Sequence, residues 1–131
     1  MSKRSDLIGR ITTNIQPYPT FSISEELPFE SGGVPLYEKN LNTVYVDEQQ
    51  IFVEELYDTL DQGVVNETLT TINAYLSVDA KNQDNNIDTV VANLLISRNV
   101  ITGTVDNTSS YETEIEDDVI TYTFEYNFTT V

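Results

Sequence analysis

The stretch "LTTINAYLSVDAKNQDNNIDTVVANLL", residues 69–95, holds two hydrophobic periods separated by one polar break. Over 69–80 the period is two. Thr70, Ile72, Ala74, Leu76, Val78 and Ala80 face one way, and Leu69, Thr71, Asn73, Tyr75, Ser77 and Asp79 the other. That alternation predicts a half-buried strand with one wetter side. From Ile87 the spacing changes: Ile87, Val90, Val91, Leu94 and Leu95 fall at i, i+3, i+4, i+7 and i+8, the stripe of a core-facing helix. The polar residues between are the handover. Asn85 is the expected helix cap, Asp88 suits the positive helix start, and Arg98 suits its last turn. Acids at 79, 84 and 88 invite a calcium reading. An EF-hand loop, however, needs a glycine at its sixth position and a bidentate glutamate at its twelfth, and neither is present, so no metal site is assigned.

Outward from this segment the same two periods recur. Towards the C-terminus, Ile120, Tyr122, Phe124, Tyr126 and Phe128 alternate with Thr121, Thr123, Glu125, Asn127 and Thr129. The preceding run alternates Tyr111, Thr113 and Ile115 with Glu112, Glu114 and Glu116. With Asp117 and Asp118 as a two-residue turn, Ile115 is placed opposite Ile120, Thr113 opposite Tyr122 and Tyr111 opposite Phe124, so both apolar faces coincide. Asn-Gly or Asp-Gly would reach the positive φ of such a turn more easily. The aromatic strand reads as sheet core, with the alternative that its end, Phe128 and Val131, reaches a neighbouring subunit.

Towards the N-terminus, residues 43–46 read as a strand, and so do residues 51–60, where Ile51 and Val53 alternate while Phe52, Leu56 and Leu60 also fit helical spacing. A short strand is expected at residues 21–24. A helix is expected over 5–15, with Leu7, Ile8, Ile11 and Ile15 as its stripe, Ser5 as cap, and the Gln16-Pro17-Tyr18-Pro19 run as its stop. Residues 25–42 show no period and are punctuated by Pro28, Gly32, Gly33 and Pro35. A long loop of this kind is read as an interaction loop, exposing Phe29, Val34, Leu36, Tyr37 and Leu41. The expected fold is α+β: a mostly antiparallel β-sheet with two amphipathic helices packed on one face, in a single domain spanning 1–131.

Composition narrows the function. The chain has 131 residues, enough for one real core. With 39% apolar and 21% charged residues it is too apolar to be disordered. No apolar run approaches the roughly 20 residues of a membrane span, and no long apolar region follows the basic N-terminus, so neither membrane anchorage nor a signal peptide is expected. The sequons at Asn66, Asn107 and Asn127 then read as accidents of a chain rich in Asn and Thr. The chain contains no Cys and no His, which removes disulfides, thiol nucleophiles, His-based triads and ordinary zinc sites. Carboxylates are the one abundant candidate for catalysis, but they fall on exposed alternation positions or in turns instead of converging on a cleft. No phosphate loop or dinucleotide fingerprint is present. The chain is read as a non-enzyme with no cofactor. Net charge is -16, from 22 acids against 6 bases, and three of the bases, Lys3, Arg4 and Arg10, lie in the first ten residues. Such a body is repelled by DNA unless a basic patch intervenes, and none is visible. A role beside DNA that must not stick to it stays open.

The order helix, short strand, long loop, strands, long strand, helix, hairpin resembles that of the tail terminator (tail completion) proteins of tailed bacteriophages. The residues that carry the resemblance are "RSDLIGRITTNI" (4–15), "NTVYVDEQQI" (42–51), "NETLTTINAYLSVDAKNQDNNIDTVVANLL" (66–95) and "YETEIEDDVITYTFEYNF" (111–128), which together span most of 4–128. The resemblance implies a small α+β subunit that forms a homo-oligomeric ring, typically a hexamer, on the last ring of the tail tube protein. It implies a surface for head-completion or connector proteins, contact with a sheath protein where one exists, a place in the virion after assembly in the host cytoplasm, and no catalytic residues. DNA would pass through without specific binding. On that reading Glu112, Glu114, Glu116, Asp117 and Asp118 are candidates to face the lumen. Lys3, Arg4, Arg10, Phe29, Leu36, Tyr37 and Leu41 are candidates to contact neighbouring subunits or partners. Two other readings stand beside it: a head-closure or connector protein on the portal side, and a stand-alone acidic module that binds basic proteins.

Overall fold

The computed structural model describes residues 2–29, 33–59, 63–100, 104 and 106–130. The chain runs α1 (Lys3–Ile15), β1 (Ser22–Ser24), α2 (Leu36–Lys39), β2 (Thr43–Val46), β3 (Gln50–Thr59), β4 (Gly63–Asp79), α3 (Ile87–Ile96), a 3-10 turn (Ser97–Val100), β5 (Asp106–Glu116) and β6 (Val119–Thr130). Among the described residues six strands form one sheet, ordered β1-β2-β4-β6-β5, with β3 paired to β4. Every pairing is antiparallel except β1 with β2. Leu60 and Val131, and Glu30, Ser31 and Gly32 of the long loop, lie outside the described residues.

β4 is the spine. It begins six residues before the strand expected from its alternation, because its N-terminal half pairs with β3 from Thr59↔Gly63 to Gln50↔Thr71. β2 takes up the same edge at Tyr45↔Tyr75 and Val46↔Ala74, and β6 runs along the other edge from Thr68↔Thr130 to Asp79↔Val119. The even-numbered face of β4 and β6 is the core face: Ile72, Ala74, Leu76, Val78, Phe124, Tyr126 and Phe128 are buried with Val44 and Val46 of β2. Leu7, Ile11 and Ile15 of α1 and Ile87, Val90, Val91 and Leu94 of α3 complete the same cluster, so both amphipathic helices cover one face, as expected. The two helices are cross-linked as well as packed. Asn14 Nδ2 donates to Ser97 Oγ at 2.9 Å, and Asn93 Nδ2 donates to the Asn14 carbonyl at 3.0 Å. Phe128 is fully buried in this core, which removes it as a contact to a neighbouring subunit.

The hairpin has the register read from its alternation: Ile115↔Ile120, Thr113↔Tyr122 and Tyr111↔Phe124. Asp117 (φ 50) and Asp118 (φ 63) both occupy the left-handed region, which makes a type I′ turn without glycine. The Asp118 carbonyl accepts from Ala80 N at 2.8 Å, and Lys81 Nζ stands 3.2 Å from its carboxylate, so the turn is braced against the end of β4.

Three boundaries depart from expectation. Helix α1 starts at Lys3, not Ser5, because the Ser2 side chain accepts from Ser5 N at 3.1 Å and is the true cap. At α3 the cap position is Asn86, which makes no side-chain cap bond. Asp84, two residues earlier, forms a turn into the helix, its Oδ1 accepting from the cap residue's own N–H, Asn86 N, at 2.8 Å. Hydrogen bonds from the Asn86 backbone and the Thr20 side chain hold the Asp84 carboxyl below its usual range. Arg98 lies just past α3, in the 3-10 turn, and donates to the Leu95 carbonyl at 2.9 Å, so its expected role at the helix end holds.

The third departure is the long loop. β1 and β2 are parallel neighbours, so the chain between them has to return the full length of a strand. Residues 25–42 make that crossover connection, and among those described the helical turn α2 forms. Asn42, at φ 63, ends the connection and docks the return: its N–H donates to the Ser77 carbonyl at 2.8 Å and its carbonyl accepts from Ser22 N at 3.0 Å.

Candidate functional site

The crossover lies on the sheet face opposite α1 and α3. Tyr37 stacks on Tyr75 with ring centroids 4.6 Å apart, and Phe29 meets both rings edge-on at 5.8 and 5.4 Å. Tyr75 belongs to the odd-numbered, wetter face of β4, opposite Tyr45 of β2. Tyr45 is buried, and its hydroxyl accepts from Asn40 Nδ2 at 2.8 Å. Burial raises the Tyr37 phenol above its ordinary value, and the charges of Glu38 and Glu114 and the neighbouring Tyr75 raise it further. Burial, then Asp47, raises Tyr75 likewise.

Beside this aromatic platform runs an acidic strip. Glu112, Glu114 and Glu116 pair with Thr123, Thr121 and Val119 and share the odd-numbered face of β6. All five hairpin acids, Asp117 and Asp118 included, are exposed. The crossover folds towards them and closes a cleft of about 290 Å³, lined by Val34, Tyr37, Glu38, Glu114, Glu116, Asp117, Val119, Thr121 and Thr123. The structure thus gathers three of the five acidic candidates, Glu114, Glu116 and Asp117, with a fourth carboxylate, Glu38, which no local pattern singled out. Among the described residues no group of three His, Cys, Asp or Glu side chains is arranged to hold a metal. Four carboxylates around an aromatic and threonine-lined floor give the cleft a negative potential, which attracts cations and repels polyanions.

The other candidates divide. Arg4 is committed internally: its Nε donates to the carbonyls of Val46 and Asp47 at 3.2 and 3.1 Å, and its Nη2 to those of Val46 and Glu25 at 2.9 and 3.0 Å. It clasps α1 to the end of β2 and to the crossover, a role its position beside Lys3 did not reveal. The side chains of Lys3 and Arg10 make no hydrogen bond or ion pair with the described residues. Phe29, though 49% exposed, and Tyr37 belong to the aromatic cluster instead of hanging free, Leu36 is half-buried, and Leu41 is exposed. A feature the periodicity left ambiguous is Ile51, Phe52 and Val53 on β3, each more than half exposed. No family model matches this chain, and a search of curated proteins returned no match.

Proposed function

We propose that this chain is a structural subunit of the neck of a tailed phage virion, a tail terminator that forms a ring capping the tail tube and joins it to the head-completion proteins. The observation that carries the reading is the segregation of charge. Five exposed carboxylates crowd one hairpin, and none of the six cations lies on it: Lys3, Arg4 and Arg10 are on α1, Lys39 on α2, Lys81 against Asp118, and Arg98 against the end of α3. Each phosphate neutralised by a cation adds affinity for DNA, so a surface that presents carboxylates and no cation cluster lets a duplex slide past. In the ring the acidic end of the hairpin, the Asp117 and Asp118 turn with the glutamates behind it, faces the passage. Lys3 and Arg10, on the helical layer, meet acids of the next subunit.

The same charge opposes assembly, since every subunit brings -16. Salt screens exposed charges beyond about 8 Å at physiological strength. The ring should therefore form at physiological salt and dissociate as salt is lowered, which mass photometry and negative-stain imaging of the purified protein measure directly. Reconstruction of virions is the decisive experiment. A ring at the top of the tube with residues 111–118 on the inner wall supports the reading; a ring with them on the outer wall refutes the conduit, and absence of the chain from virions refutes the whole. Loss of the protein should give overlong or headless tails, an outcome that separates a terminator from a head-closure protein. The acidic cleft favours one rival, a stand-alone module for basic proteins, and that rival requires a monomer at every salt concentration.

A further inference from the structure

Among the described residues two long strands keep an unpaired outer edge, β3 and β5, and that of β5 is the longer. β5 pairs with β6 alone, and residues 110–116 are all exposed. In a two-residue type I′ hairpin the residues flanking the turn, here Glu116 and Val119, exchange both backbone hydrogen bonds, and the pattern alternates from there. Glu112, Glu114 and Glu116 therefore turn their backbone groups towards β6. Tyr111, Thr113 and Ile115 turn theirs outwards, and among the described residues no other backbone bond engages these three. An edge of this kind is a template for another strand.

Charge decides which strand fits. An added strand places its side chains about 5 Å from those of β5, where like charges directly opposite are destabilising. A second copy of this chain cannot supply a complementary strand. β5 against β5 sets glutamate against glutamate, and β3 carries Glu54, Glu55 and Asp58. All six cations of the chain lie off its strands, on α1, on α2, in the turn after β4 and in the 3-10 turn. A polyanion is excluded by the same carboxylates. What fits is a strand with cations at alternate positions. Beside the glutamate column the cleft offers such side chains Tyr37 and Val119 for their methylene stems and Glu38, Glu114 and Glu116 for their charged ends.

We propose that the free edge of β5 is a docking site for an extended segment of a different, basic protein, which adds to the sheet as a new strand and lays lysine or arginine side chains over Glu112, Glu114 and Glu116 into the cleft beside Tyr37. The docking needs no ring, and it leaves the Asp117 and Asp118 turn uncovered.

The test uses the full chain and a synthetic peptide of about ten residues, the length of a long strand, alternating lysine with threonine and valine. The comparison is a scrambled peptide of the same composition that breaks the alternation. Isothermal titration at physiological salt should show the alternating peptide binding at least tenfold more tightly than the scrambled one. T113P is the diagnostic variant, because proline is tolerated on an edge whose N–H faces solvent, yet it deletes an outward donor. It should abolish the preference for the alternating peptide while circular dichroism shows the sheet intact. A second variant, E112Q/E114Q/E116Q, keeps every backbone bond and should weaken the alternating peptide tenfold or more. Equal binding of both peptides, or a preference that survives in both variants, overturns the proposal in favour of diffuse charge attraction. Binding of neither peptide overturns it too and leaves the glutamates as guards against edge pairing. A dimer of the unliganded chain that T113P dissolves overturns it in favour of a second copy.

Discussion

Replacing Tyr126 by phenylalanine removes one buried oxygen and leaves the ring in place, and its effect on stability should reverse with pH. Tyr126 is fully buried, and its hydroxyl donates to the Leu94 carbonyl at 2.5 Å, joining β6 to the last turn of α3. The Leu94 carbonyl also accepts from Ser97 N, so the substitution orphans no acceptor and costs about 1 kcal/mol near neutrality, the net worth of one ordinary hydrogen bond. Burial pushes the phenol far above its ordinary value, and the positive charge of Arg98 offsets only part of that. A raised native pKa means that the folded chain holds the proton after the unfolded chain has released it. The wild-type stability from this group is complete below the unfolded value of about 10 and declines above it by about 1.4 kcal/mol per pH unit. The phenylalanine variant has nothing to ionise there. Urea unfolding followed by circular dichroism should find wild type ahead by about 1 kcal/mol at pH 7, level at about pH 10.7, and behind by about 1 kcal/mol at about pH 11.5. The shifts of Tyr37, Tyr75 and Tyr122 act on both proteins and cancel in the difference. A gap that stays constant from neutrality to pH 11 refutes the argument, because it would mean that Tyr126 ionises as readily folded as unfolded.

Gly9 lies exposed inside α1, and an added methyl group there meets nothing within 4 Å, so G9A should stabilise the chain by about 0.5–1 kcal/mol in urea unfolding; a loss would show that α1 needs the glycine. The Thr70 hydroxyl is buried without a hydrogen-bond partner on the central strand, so T70V should gain about 1 kcal/mol and raise the thermal midpoint, and a lowered midpoint would show that the hydroxyl is bonded. Arg4 holds three carbonyls, so R4A should cost about 1–2 kcal/mol in the isolated chain and R4K should recover only part of it; unchanged chain stability together with lost ring assembly would move Arg4 from the clasp to an interface. Charge reversal at Lys3 and Arg10 should leave unfolding stability within about 0.5 kcal/mol and weaken the ring, since neither side chain has a partner among the described residues.

What could be read locally was the side each residue takes. The hairpin register followed from period two and a two-residue turn, because a slip by one residue would have sent Tyr122, Phe124 and Tyr126 into water. The even face of β4 and the stripe of α3 followed from the same kind of argument. The Ser2 and Asn86 cap positions were misplaced because several small polar residues sit within a turn of each helix start, and only backbone geometry selects among them. The acids of the candidate site were legible as exposed positions. The cleft was not, since Glu38 and Tyr37 reach it from a segment without period.

By itself the sequence determined an acidic α+β chain, the buried side of its long strands and both amphipathic helices, and the pairing of its last hairpin. These rest on periods of 2 and 3.6 residues, which any short window contains. Only the tertiary structure decided that β1 lies parallel to β2, that Phe29 and Tyr37 lie on the far face of the sheet, that Arg4 reaches Val46, and that β5 keeps an open edge among the described residues. Each of these depends on the order in which strands line up across the sheet. That order is set by how the helices and the crossover together cover both faces, a global packing condition that no local repeat encodes.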